Sequence, residues 1–170
     1  PLESPPMKRR FLLSAGAAAA TLTLVGCAGP QIGAFAGQKP ALDMREYFNG
    51  ILDAYGVFTD RSGTVVKRFT VVMRCSWTGE EGVLDEDVTD SVCTLQKRIW
   101  RLKHLGNGRY SGTADDVVGS ALGETQGNTF RWGYTLALPV DGNVWNVEFD
   151  DWMYLMDQRV MLNKATMSKF

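Results

Sequence analysis

The sequence predicts an all-β protein, an antiparallel up-and-down barrel of about eight strands. Three observations carry that reading. Apolar residues recur with a period of two, turn signals interrupt them at short intervals, and the links between runs are brief. The clearest run is 125–139. There Phe130, Trp132, Tyr134, Leu136 and Leu138 share one face, while Thr129, Arg131, Gly133, Thr135 and Ala137 share the other. In 63–77, Val65, Phe69, Val71, Met73, Cys75 and Trp77 line a face that Lys67 interrupts; Arg68, Thr70, Arg74 and Ser76 lie opposite. The remaining strands fall at 52–60, 82–89, 94–104, 109–117, 143–154 and 158–167.

Turn chemistry punctuates these runs. Arg61-Ser62-Gly63, Thr78-Gly79, Asp90-Ser91, Gly106-Asn107-Gly108, Asp141-Gly142 and Asp157-Gln158 suit tight hairpins, where Gly, Asn and Asp tolerate positive φ. The one longer link is 118–124, "VGSALGE". Closing the meander would remove its exposed edges, which favours a barrel. A sandwich with Greek-key crossovers would need longer links. Before the first strand, "LDMREYF" reads as a turn or two of helix with Asp43 as N-cap.

The first thirty residues are different. Lys8-Arg9-Arg10 precedes an uncharged, Ala- and Leu-rich run over 11–25, followed by small residues. This is a secretory signal, with Met7 its natural start and 1–6 a start-site artefact. The run is about 15 residues, short of the roughly 20 that span a bilayer core. Arg9-Arg10-Phe11-Leu12 faintly resembles a twin-arginine export signal. Leu24-Val25-Gly26-Cys27 resembles a bacterial lipobox, which implies cleavage before Cys27 and acylation of that residue. One acyl chain anchors only marginally, so several would be needed for permanent attachment. Ala28 in place of Asp implies passage to the outer membrane. The expected organisation is a signal over 1–26, lipid attachment and a tether over 27–41, and the barrel over 42–170. A Gly-, Ala- and Pro-rich tether of that length spans about 20 Å.

The composition is globular, with 45% hydrophobic and 22% charged residues. A net charge of −1 argues against a nucleic-acid partner, which calls for a basic face. Cys75 and Cys93 would share an oxidising compartment, yet the meander places them at opposite ends of one strand. That is about 25 Å, against the 7 Å or so a disulfide tolerates, so no bond is expected.

Catalytic chemistry finds little support. Asp115-Asp116 and Asp150-Asp151 are adjacent, so on a strand they point to opposite faces. Glu148 and Asp150 share a face about 7 Å apart and could serve a hydrolase or isomerase if both sat in a cleft with raised pKa values. Asp85-Glu86-Asp87 reads as an exposed strand. His104 stands alone, as a surface residue at a strand end, and Ser120 in "GSALG" is not a nucleophile elbow. No phosphate loop, dinucleotide fingerprint or zinc spacing occurs, so no cofactor or metal is expected.

The aromatics are more suggestive. Phe69, Trp77, Phe130, Trp132, Tyr134, Trp145 and Phe149 fall on inward faces, as a packed core or as the wall of an apolar cavity. Lys67 and Gln126 would supply polar contacts; an acidic head would favour Lys67 as its cation, with Arg98 a second choice.

"GVFTDRSGTVVKRF", "GRYSGTADDVVG", "NTFRWGYTLALPVDGNVWNVEFDDWMYL" and "LNKATMSKF" resemble a family of bacterial lipoproteins known as domain-of-unknown-function family 3833. The resemblance covers about 42–170. It implies a lipocalin-like (calycin-type) barrel on a lipoprotein signal and implies no activity. It also implies a further strand beyond "MSKF", without which the barrel would keep an open edge. Three roles follow as expectations. The first is carriage of a small apolar or amphipathic ligand, such as a fatty acid, at the periplasmic face of the outer membrane. The second is a filled scaffold acting through a protein partner. The third is the carboxylate enzyme.

Overall fold

The structure is a computed structural model that describes residues 29–140 and 142–169. Cys27, its lipobox and the signal lie outside the described residues. Nine strands follow one another in sheet order, every neighbouring pair antiparallel, and curl into a half-barrel. They are β1 (Gly50–Thr59), β2 (Val65–Thr78), β3 (Glu81–Asp90), β4 (Leu95–Gly106), β5 (Arg109–Thr113), β6 (Ala121–Gln126), β7 (Thr129–Val140), β8 (Asn143–Leu155) and β9 (Met161–Lys169). The all-β meander is as the alternation predicts.

Two features differ from expectation. The run read as one strand over 125–139 is a hairpin, because Gly127 (φ 57°) and Asn128 turn the chain between β6 and β7. The supposed link over 118–124 therefore supplies most of β6. Its small residues are needed there: a Cβ on Gly123 would lie 2.4 Å from Trp132 Cβ and 2.7 Å from the Phe130 ring. Second, no pairing joins β1 to β9 among the described residues. With nine antiparallel strands the two edges run in the same direction. Direct closure would thus require a parallel pair in an otherwise antiparallel meander.

One end of the half-barrel is plugged. Asp43 caps a single helical turn, α1 (Met44–Tyr47), by accepting from the Arg45 N–H at 2.8 Å, as its sequence position predicts. Leu42, Met44 and Phe48 are buried with Leu102, Tyr110, Phe130, Trp132 and Leu155. Trp77 Nε1 donates to the Phe48 carbonyl at 2.9 Å, and Leu42 N–H donates to Gly127 O at 2.8 Å. The lead-in read as a free tether is docked from Ile32 onward. Ile32–Phe35 forms a 3₁₀ turn, and the Phe35 ring packs on Trp152 and Tyr154 at 5.9 and 5.6 Å, on the outer face. Aromatic contact there outweighs the flexibility of the Gly- and Ala-rich composition.

At the opposite, open end two hairpins share a design. Asp60 Oδ1 accepts from the N–H groups of Ser62 and Thr64, and Asp90 Oδ1 from those of Val92 and Thr94. The fourth position of each turn is left-handed: Gly63 at φ 87° in one, Cys93 at φ 62° in the other. Cys75 faces Leu84, whereas Cys93 lies three residues beyond Asp90, the partner of Phe69. The separation predicted from the meander holds, and both thiols are free.

Candidate functional site

The inner face follows from register. Met73, Glu86 and Arg98 are consecutive partners across β2, β3 and β4; Trp132 and Asp151 are partners across β7 and β8. Alternation then sends Asp85 and Asp87 outward, where Lys97 meets Asp85 at 2.7 Å and Arg74 meets Asp87 at 2.7 Å. Glu86 turns inward. The reading of Asp85-Glu86-Asp87 as an exposed strand thus fails at its centre, and its flanks, though directed outward, are half-buried in their ion pairs. The signal was present, since Leu84 and Val88 flank Glu86 two residues away on either side.

Five polar groups meet midway along the concave face. Arg98 is clamped by Asp116, Nε at 3.1 and 3.2 Å from the two carboxylate oxygens and Nη2 at 2.6 Å from one. Burial lowers the pKa of the guanidinium, but the Asp116 hydrogen bonds and charge outweigh it, leaving a firm cation. Tyr134 Oη donates to Asp151 Oδ2 at 3.0 Å. Asp151 is 5% exposed, and its other oxygen has no hydrogen-bond partner. Burial raises its pKa; Tyr134 opposes this, as does the nearby Trp132 indole, which falls outside hydrogen-bond geometry. Burial pushes Glu86 up to about 7, with Arg98 opposing and Asp116 and Asp151 reinforcing. Glu86 has no hydrogen bond or ion pair among the described residues.

β5 ends at Thr113, so β4 has no strand partner on that side from Leu95 to Trp100. The loop after β5 instead bonds to β7, through Val118 N–H to Thr135 O and Ala137 N–H to Asp116 O. A cleft of about 280 Å³, lined by Lys97, Arg98, Ile99, Asp115 and Asp116, opens in the wall there. The Arg98–Asp116 pair bridges it.

Above the polar groups the face turns apolar. Phe149 stacks on Tyr134 at 5.1 Å and 5°. Beyond them a recess of about 410 Å³ is lined by Val140, Asn143, Trp145, Val147 and Lys169, with Lys169 Nζ over the Trp145 ring.

The residues singled out from the sequence divide by depth. Trp77, Phe130 and Trp132 are core, the last two against Tyr110 and Trp100. Tyr134 and Phe149 form the half-buried floor. Phe69 packs on Phe58 at 4.9 Å near the open end, and Trp145 lies at the recess. Lys67 is not an interior cation: it sits at the rim, with Asp90 at 3.0 Å taking its charge. Gln126 is one position out of phase with Thr125, the partner of Phe130, and so faces outward. The inward cation is Arg98. Asp150 and Asp151 do point to opposite faces. Asp150 is held by Arg131 at 2.7 Å, which lowers its pKa, the opposite of the raised value an acid–base reading needs there. His104 is not a simple surface residue; it packs on Tyr110 at 4.8 Å and contacts Glu80.

No curated protein and no solved structure shows significant similarity to the chain. One family model matches residues 21–170, which includes every strand described above. The chain belongs to the family of proteins of unknown function called DUF3833.

Proposed function

We propose that this chain is an envelope lipoprotein that holds a small amphipathic ligand on the concave face of its half-barrel. The observation that carries the reading is the uncovered half of that face. The apolar recess at Trp145 and Val147 continues into the Tyr134–Phe149 stack and ends at charged groups. Its volume lies within the range of small-molecule sites, which are mostly apolar with a few placed polar groups. An amphipathic molecule matches that gradient better than a wholly apolar one.

The signal, the lipobox and the acyl chains on Cys27 belong to the same proposal, as does a place at the periplasmic face of the outer membrane. Labelled palmitate should be incorporated by the wild-type chain and not by Cys27→Ala; equal labelling would remove the anchor. For the ligand, the test is native mass spectrometry and solvent extraction of protein purified from cells. A lipid-sized adduct that diminishes in Phe149→Ala is expected. A clean apo mass that takes up no amphipathic probe would overturn the reading.

A second reading rests on β1. Its outer face presents Ile51, Tyr55 and Val57, the first two 76% and 78% exposed, on an edge strand. This would suit a scaffold that meets a protein partner. A photo-crosslinker at Tyr55 that captures no envelope protein would dismiss it.

A further inference from the structure

We propose that the polar end of the ligand is a cation of the ammonium type, seated against Glu86, with its chain running over Tyr134 and Phe149 toward Trp145. This rests on the ligand-binding reading above. The charges at the site favour it. Glu86, Asp116 and Asp151 face a single cation, Arg98, and Asp116 already clamps that guanidinium with three contacts. Glu86 is left without a partner, and Asp151, 95% buried, keeps one oxygen without one. At this end of the face a carboxylate head would meet two uncompensated carboxyl groups and, among the described residues, no cation but the clamped Arg98; Lys169 lies at the far end, over Trp145. An ammonium head would bring the countercharge that burial has withheld.

The surroundings suit an organic cation. Tyr134 and Phe149, half-buried and stacked at 5.1 Å beside the carboxyl groups, offer aromatic faces, which favour soft cations. Among the described residues no three His, Cys, Asp or Glu side chains converge to hold a metal ion. Reach is also adequate. Trp145, Val147, Phe149 and Asp151 alternate along one face of β8, a span of about 20 Å. An extended alkyl chain of a dozen or more carbons can lie along it. Glu86 is the half-buried, reachable group, while Asp151 acts through the field it sets.

The groups that face Glu86 are Cys75 from β2, Arg98 from β4, Asp116 from the loop after β5, Tyr134 from β7 and Asp151 from β8. Between pH 8 and pH 5.5 Glu86 gains its proton, so preference for a cation should shrink over that interval.

Tryptophan-fluorescence titrations of the full chain would use three twelve-carbon probes below their micelle concentrations: dodecyltrimethylammonium, dodecanoate and dodecyl maltoside. At pH 8 the ammonium probe should bind at least tenfold more tightly than dodecanoate. Glu86→Gln should reduce that preference about tenfold, with an unchanged circular-dichroism spectrum reporting that the variant is folded. If dodecanoate binds as well as the ammonium probe, or the preference survives Glu86→Gln, the head assignment is overturned and the ligand reading stands. If none of the three binds, both fall.

Discussion

The two ends of the half-barrel are built from the same alternation and the same aromatic residues, yet they have opposite fates. At the plugged end Phe130 is fully buried and Trp132 is 6% exposed. At the open end Trp145 is 37% exposed, and Phe58 and Val140 are more so. The difference lies in what covers the concave face. Leu42, Met44 and Phe48 fold back over one end, and nothing among the described residues covers the other. An inward-facing aromatic is therefore core or candidate ligand wall according to its distance from the plug, whatever its strand pattern.

The sharpest test sets two tryptophans side by side. Trp132→Ala leaves a cavity beneath the plug and should cost about 3–5 kcal/mol in urea unfolding. Should it cost as little as a surface change, the plugged end is not the packed half. Next comes Glu86, midway between the ends. Its folded pKa, about 7, lies above its unfolded value near 4.5, so the folded state holds the proton between these values. Its own contribution to stability is greatest below pH 4.5, falls as pH rises to 7, and is level above. Glu86→Gln removes that fall. It should stabilise the chain by on the order of 2–3 kcal/mol at pH 8 and hardly at all at pH 4, as read from paired melting curves.

Gly123→Ala would force a methyl against Trp132, the Arg131 carbonyl and Phe130, and should cost roughly 1–3 kcal/mol. No loss would mean that β6 does not back the plugged core closely. At the open end, where packing is thin, local geometry should dominate. Cys93→Gly relieves a left-handed residue in a turn whose twin already uses Gly63, and should add about 0.5–1 kcal/mol. The smallest effect belongs to Trp145→Ala. Half a kcal/mol or less is expected in stability, alongside weakened probe binding. A loss comparable to that of Trp132→Ala would erase the distinction between the two ends.

Much of the fold was legible because hydrophobic alternation and turn residues are local signals. The hairpin at Gly127-Asn128 was not, since the small residues of β6 resemble a loop; the turn puts Thr125 on the face of Phe130, where unbroken alternation would put Gln126. Gly123 is required by Trp132 and Phe130, which only the sheet register places over it. The candidate site was half legible. Tyr134, Phe149 and Trp145 lie on the predicted face, and the opposite directions of Asp150 and Asp151 follow from adjacency. Glu86 was hidden among acidic neighbours, although its phase with Leu84 and Val88 marks it as inward. Lys67 shares the inward phase but sits where Asp90 can reach it.

By itself the sequence determined the all-β class, the meander and, within each unbroken apolar run, which residues share a face, because these depend on period and on residues near in the chain. The tertiary structure alone decided that the sheet stays half open, that the lead-in docks from Ile32, and that Asp116 engages Arg98 and leaves Glu86 alone. Those outcomes depend on curvature, strand count and contacts between distant segments, and no local pattern encodes them.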